Sequence, residues 1–260
     1  MADFQGAGHP ASQQGILTVL DSLGLKIPEL LAVITVETSG CGYLSDRRPA
    51  ILFERHIFSR QTGGRFDAQA PDISNSTPGG YKFGADEYPR LAKAFQLDPE
   101  AAQKSASWGI GQVMGFNFAA AGYASVDLMV QGAMASEDEQ LKAMAGFLKS
   151  SGLHRALAVH DWTSFARGYN GPDFVKNRYD VRLAGAFHQF SQALPDLTVR
   201  TAQLLMTYAG LKVGPIDGMG GRMTRAAVQT FRQKHGLGDS TEIDDELIDA
   251  LRQATIPPAA

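Results

Sequence analysis

Leu30-Leu31-Ala32-Val33-Ile34-Thr35-Val36-Glu37-Thr38-Ser39-Gly40-Cys41-Gly42 is the stretch on which the reading of this chain turns. Leu30, Val33, Ile34 and Glu37 recur at the three- and four-residue steps of one helical face, so an acidic side chain continues an apolar stripe. Pro28 suits a first helical turn, and Gly40 and Gly42 break the pattern. The spacing predicts a helix through about Thr38 with Glu37 in its last turn. A carboxylate there is badly placed to hold a charge. Partial desolvation favours its neutral form, and the negative end of the helix dipole does the same. Both push its pKa toward the working range of a general acid. The bland alternative is an exposed glutamate that follows a core stripe.

Working outward, Ser12 caps a first helix that ends at Gly24. After the Glu37 helix, the short runs 42–44 and 50–53 suggest a small hairpin, although Ile51-Leu52-Phe53 could equally begin a helix containing Glu54 to Ile57. Residues 60–88 are rich in Gly, Pro, Ser, Asn and Asp and read as a long loop that shapes a groove or lid. Helices are expected at 88–95, 99–104, 109–122, 125–134, 137–150, 153–159 and 177–192, with Ser136 and Glu139 as a capping box. The fold class is therefore mainly α, with a small strand or loop lobe. Leu194-Pro195-Asp196-Leu197 is the clearest seam. It divides a large domain, 1–192, from a small one, 197–254, and leaves 255–260 as a frayed tail.

The chain has 260 residues, room for one sizeable core and a second module. Its net charge of −3 is spread over both parts, which argues against a nucleic-acid surface. Cys41 is the single cysteine, so no internal disulfide forms. The opening MADFQGAGHP lacks a basic segment followed by an apolar run, and no apolar run is long enough to span a membrane. The expectation is a cytoplasmic, monomeric protein without a membrane anchor, kept inside the producing cell until something else releases it.

Breaking a glycosidic bond needs a proton on the leaving oxygen and stabilisation of positive charge at the sugar. Glu37 fits the first role. Glu54, after the probable core segment 51–53, is the best second carboxylate, unless it pairs with Arg47, Arg48 or Arg55; Asp46 on a turn is the auxiliary candidate. Retaining and inverting geometries are both open at this point. In Ser107-Trp108-Gly109-Ile110-Gly111-Gln112-Val113-Met114-Gly115-Phe116-Asn117, glycines would allow close backbone approach to a bound chain, and Gln112 could orient an N-acetyl group or a water. Residues 162–172 offer Trp162, Tyr169, Asn170 and a Gly171-Pro172 turn. His56, His154 and His160 lack metal-ligand spacing, so no metal and no cofactor is expected.

Residues 35–44, continued by Arg48-Pro49-Ala50-Ile51-Leu52-Phe53-Glu54-Arg55-His56-Ile57-Phe58, closely resemble the N-acetylmuramidase domain of phage endolysins, and the 107–117 and 162–172 clusters follow in that family's order. The resemblance covers nearly all of residues 12–190. It implies a lysozyme-like α+β catalytic domain that hydrolyses the bond between N-acetylmuramic acid and N-acetylglucosamine in peptidoglycan, a bacteriolytic activity. A lytic transglycosylase is the nearest alternative, and a non-catalytic wall-binding protein a more distant one. By the resemblance Glu37 is the general acid and Glu54 the base or electrostatic stabiliser. Ser107, Gln112, Asn117, Tyr169 and Asn170 match groove positions, and Cys41 is structural.

The C-terminal part has an apolar helical pattern at Val199, Ala202, Leu205 and Met206, a second at Ala227, Val228 and Phe231, and a third at Leu247, Ile248 and Leu251. Thr224 reads as a cap or support for the second helix, and Asp217 as a turn former. Ile216-Asp217-Gly218-Met219-Gly220-Gly221-Arg222-Met223-Thr224, followed by 227–232, resembles the three-helix peptidoglycan-binding domain, whose signature falls on Asp217, Gly218, Gly221, Thr224 and Phe231. Arg232 and the acidic 238–245 segment depart from that pattern. The resemblance implies peptidoglycan as partner and a holin, or another release route, as the way to reach it.

Overall fold

The computed structural model describes residues 3–256. Helix α1, Gln13–Leu23, starts where Ser12 Oγ accepts from the Gly15 amide and ends at Gly24, whose φ of +64° suits glycine. Helix α2, Ile27–Thr38, begins with the Glu29 carboxylate accepting the Lys26 amide proton at 3.2 Å. Leu30, Leu31, Ala32, Val33, Ile34 and Val36 are all buried, so α2 is enclosed on nearly every side rather than along one stripe.

The small lobe is a three-stranded sheet in the order β1-β2-β3. β1, Ile51–Phe53, pairs antiparallel with β2, Ala106–Trp108, and β2 with β3, Val113–Met114. This corrects two expectations. The hairpin between 42–44 and 50–53 shrinks to one bridge, Tyr43 with Pro49. The helix expected over 109–122 is replaced by β3, by a turn and by a 3₁₀ turn, Gly115–Asn117. The reason is local: Gly109 and Gln112 stand at φ +67° and +47°, outside right-handed helical space. A side chain at Gly109 would also overlap Gln140, whose Oε1 holds the Ile110 amide at 2.7 Å.

Helix α3, Arg55–Gln61, follows β1 directly. The long loop then returns over the lobe, tied down where Arg55 donates to the carbonyls of Thr77 and Pro78. Glu87 accepts the Lys82 and Phe83 amides and pairs with Arg90, both side chains being buried. The remaining helices of the large part are α4 (Glu87–Leu97), α5 (Pro99–Lys104), α6 (Val126–Ala135), α7 (Glu137–Ser150), α8 (Leu153–Ala158), α9 (Trp162–Asn170) and α10 (Tyr179–Gln192). α10 lies along α2, and α1 packs on α7.

Three helices form the C-terminal part: α11 (Leu197–Tyr208), α12 (Arg222–His235) and α13 (Asp245–Ala254). Leu204, Met206, Val228, Phe231, Leu247 and Leu251 fill its core. Cys41 and Tyr43, which follow α2 in the chain, belong to this second core and not the first. Thr224 does not cap α12, which starts after Gly221; its Oγ donates to Val213 O and accepts from Gln203. Nor is residue 255 frayed: Thr255 is buried, and its carbonyl accepts from Arg47. The last residues of the expected tail, 257–260, lie outside the described part.

Candidate active site

Glu37 reaches the last turn of α2 as the periodicity predicts. Ser39 closes the helix in the left-handed region at φ +56°, its amide bonded to Thr35 O, and Gly40 follows at φ +92°. Three other segments meet at this helix end. Tyr179, the first residue of α10, donates its phenol proton to Glu37 Oε1. One turn later Arg182 donates to Val36 O at 3.0 Å. Asn170, the last residue of α9, hydrogen-bonds the Glu37 carboxylate with its side chain. The 109–112 turn closes the fourth side. Thr38 Oγ approaches Ile110 O at 3.3 Å, and the Tyr169 phenol donates to Gly111 O.

Burial pushes the Glu37 pKa up to about 8, and the Asn170 hydrogen bond and Arg182 charge pull it down without cancelling the effect. The carboxyl therefore keeps a proton at neutral pH. Tyr179 donates to Oε1 and Asn170 also bonds the carboxyl, so the protonated group is held in place from α10 and α9. Tyr169 is held neutral by burial and by Glu37 beside it, so it keeps the phenol proton that it donates to Gly111 O.

Glu54 stands elsewhere on the lobe. It precedes α3 and accepts from the Tyr81 phenol at 2.7 Å, with His56 Nδ1 at 3.2 Å. Ala50 accepts from the Gly109 amide beside the turn near Glu37, and four extended residues, roughly 13 Å, separate it from Glu54. The two carboxylates share no hydrogen-bond partner. Neither Arg47 nor Arg48 pairs with Glu54: Arg48 holds Asp46 at 2.6 Å, at a shallow pocket with Phe4, Tyr88 and Pro89.

Ser107 and Gln112 are turned inward. Ser107 Oγ donates to Gln112 Oε1 at 2.7 Å, and Gln112 Nε2 donates to the carbonyls of Ala50 and Gly109 at 3.0 and 2.8 Å. The amide expected to face a sugar instead fastens the strained turn. Trp108 is buried, its Nε1 on Gln103 O, while Asn117 is half-buried and Asn170 exposed. Trp162 stacks on His160 at 5.3 Å and packs on Phe187.

Tyr179 and Arg182 are absent from the sequence-based candidates. Their only signal was a three-residue spacing on a helix, which identifies a shared face but not what it meets. Each histidine considered for a metal has a protein partner: His56 has Glu54, His154 has Leu148 O, and His160 has Glu29. Among the described residues no group of three or more metal-ligating side chains occurs. Burial, with Glu137 nearby, pushes the Cys41 thiol up to about 12, which fits a structural residue.

In the small domain Asp217 Oδ1 accepts the Met219 amide at 2.9 Å, the turn-forming role expected of it. Gly218, at φ +76°, lies against Pro195 and Asp196, where a side chain would not fit. Gly221 precedes α12, and Phe231 is core. The two departures from the expected pattern answer each other. Arg232 is buried and pairs with Asp244 at 2.5 Å and Glu246 at 3.4 Å, so a basic residue in the helix is met by the acidic segment.

Residues 26–191 match the family described as N-acetylmuramidase, and residues 196–251 match the peptidoglycan binding domain family. Among solved structures, the crystal structure of the Burkholderia AP3 phage endolysin is similar, with 39% identity and a TM-score of 0.65 over 71% of this chain and 72% of that one. Comparison with curated proteins finds no match.

Proposed function

Because the chain belongs to the N-acetylmuramidase family, a peptidoglycan glycoside hydrolase followed by a peptidoglycan-binding domain, we propose that Glu37 is the acid that protonates the glycosidic oxygen. The supporting observation is its proton. A carboxyl with a pKa near 8, held by Tyr179 and Asn170 at the end of α2, carries a proton to donate at neutral pH. Protonation of the oxygen between N-acetylmuramic acid and N-acetylglucosamine lets the bond break through an oxocarbenium-like state, and water completes the cleavage to leave a reducing muramic end.

Glu54 is the second carboxylate in this reading. In that role it acts as base or electrostatic stabiliser opposite the acid. Tyr169, Asn170 and Asn117 are the substrate-side residues in this reading, the first two packed beside the acid. Ser107 and Gln112 contribute by fixing the turn, and Asp46 has no part in the chemistry. The working units are 1–192 for cleavage and 197–254 for attachment to the wall. In the producing cell the enzyme acts as an endolysin: a monomer held in the cytoplasm until a holin opens the membrane, then lysing the wall.

Purified walls decide the chemistry. Wild type is expected to lower turbidity and leave reducing muramic ends by mass spectrometry, while Glu37→Gln still sediments with walls but releases nothing. Lytic transglycosylation is not favoured; it would appear as anhydromuramic ends lighter by one water. Cleavage retained in Glu37→Gln would remove Glu37 from the acid role.

A further inference from the structure

The helix that carries Glu37 ends against the other domain. Arg200 of α11 is 2% exposed and donates through Nη2 to Gly40 O at 2.5 Å. The same guanidinium grips Glu137 through both oxygens, at 2.7 and 2.8 Å. Glu137 in turn accepts the Gly42 amide at 3.0 Å and the Ala11 amide at 2.9 Å. Ile216, also from the small domain, puts its carbonyl so close to Gly40 that no β-carbon could be added there. Cys41 and Tyr43 complete the grip by packing in the small domain's core. Residues 40–43, three residues after Glu37, are thus held at the Gly40 carbonyl by Arg200 from across the seam and at the Gly42 amide by Glu137 of α7, which Arg200 itself fixes.

We infer that Arg200, although it belongs to the wall-binding domain, is a positioning residue for cleavage: with Glu137 it fixes the end of α2 and so the aim of the Glu37 carboxyl. The physical case rests on what a loop can do. Ser39 and Gly40 are both left-handed and their amides bond back to Thr35 and Ile34, while the Gly40 carbonyl points out of the helix to Arg200. A buried Arg–carboxylate fork is rigid because it is bidentate and unscreened. Wall attachment and acid placement then share one rigid connection, and the small domain is part of the catalytic structure as well as an anchor.

This inference rests on Glu37 being the acid, and the test separates the two. The substrate is soluble, peptide-free glycan of alternating N-acetylglucosamine and N-acetylmuramic acid, so adsorption to walls does not enter. The main variant is the full chain carrying Arg200→Met with Glu137→Met, which removes the clamp without changing net charge and fills the space with apolar groups. The groups facing Glu37 stay in place: Tyr179 and Arg182 on α10, Tyr169 and Asn170 on α9, with no titratable side chain in the 109–112 turn. The expected result is a folded protein with kcat at least tenfold lower, KM within twofold and sedimentation with walls unchanged. The alkaline limb of kcat should move to lower pH as water gains access to Glu37.

A merely destabilised fold would lose amplitude without moving that limb. A folded double variant with an unmoved limb, whatever its amplitude, overturns the inference. If the double variant does not fold, Arg200→Lys decides: an ammonium neutralises Glu137 but cannot span to Gly40 O as a fork does. Its limb should move in the same direction by less, and a folded Arg200→Lys with wild-type kcat and limb overturns the inference. Cleavage retained in Glu37→Gln would instead sink the acid assignment and leave the clamp as architecture.

Discussion

A carboxyl at the end of a buried helix is a costly feature, and at Glu37 that cost is tied to use. Protonated it can donate; ionised it cannot. With a pKa raised to about 8, activity is expected to hold across neutral pH and then fall about tenfold per unit above pH 8, read as the alkaline limb of kcat on soluble glycan. Arg182→Met removes a cation that pulls this pKa down, so that limb should move to higher pH. Stability also falls as pH rises, but over a lower window. Between the ordinary carboxylate value of 4.5 and about 8 the folded state binds a proton that the unfolded chain has lost, so stability drains away as pH rises through that window. Glu37→Gln should therefore be the more stable protein at pH 8, by on the order of 2 kcal/mol in a denaturant titration, with little difference near pH 4.5. The placement of Glu37 at the helix end was legible from the Leu30-Val33-Ile34-Glu37 spacing, and its proposed role as acid from the family resemblance. Its partners Tyr179 and Arg182 were not, because they lie more than 140 residues away and meet it only through the packing of α10 on α2.

At the scale of elements, helices with clear stops were well predicted. α1 begins after Ser12 and ends at Gly24, α5 begins at Pro99, and α7 follows Ser136, each bounded by a residue whose own chemistry caps or starts a helix. The sheet was misread where glycines at 109, 111 and 115 interrupt an apolar run. The apolar spacing of that run suits a helix, and only the positive φ at Gly109 and Gln112 reveals the turn. Two substitutions test its construction. Gly109→Ala should destabilise the protein by about 2–4 kcal/mol, because the new methyl group meets Gln140 and the backbone is strained. Gln112→Ala should cost about 1–3 kcal/mol, because Ser107 Oγ loses its acceptor and the Ala50 and Gly109 carbonyls each lose one of two donors. Gln112→Ala should also lower kcat through the turn's contacts with Thr38 and Tyr169; a loss confined to KM would instead mean that the amide touches substrate.

For the whole molecule, two cores are joined by a polar seam that is itself buried. Arg200 and Glu137 are 2% and 0% exposed, Tyr208 donates to Gly8 O, and the Arg47 guanidinium lies over the Tyr208 ring at 4.1 Å. Burial raises the Glu137 pKa, but the charge and hydrogen bonds of Arg200 more than offset it, so the pair stays ionised. Deleting residues 197–260 would therefore do more than remove an anchor. The remaining domain should lose about 3–5 kcal/mol from the stranded Glu137 charge alone, and it should expose Cys41 and Tyr43. Calorimetry of the truncated chain would show this as a lowered Tm; an unchanged Tm would mean that the two units are joined only as beads on a string. Composition and motif order identified both units, since each carries its own apolar helical faces.

Most of the helices, a candidate acid at Glu37 and the resemblance to two families were legible in the order of residues alone. Periodicity, capping chemistry and motif order are properties of neighbours along the chain. The tertiary structure alone decided that β1 pairs with β2, that Tyr179 holds the acid's other oxygen, and that Arg200 reaches back to the end of α2. Each of these depends on contacts between residues 50 or more positions apart. Such contacts are selected by how buried faces fit together, and a linear pattern can say that a face exists without saying what it will meet.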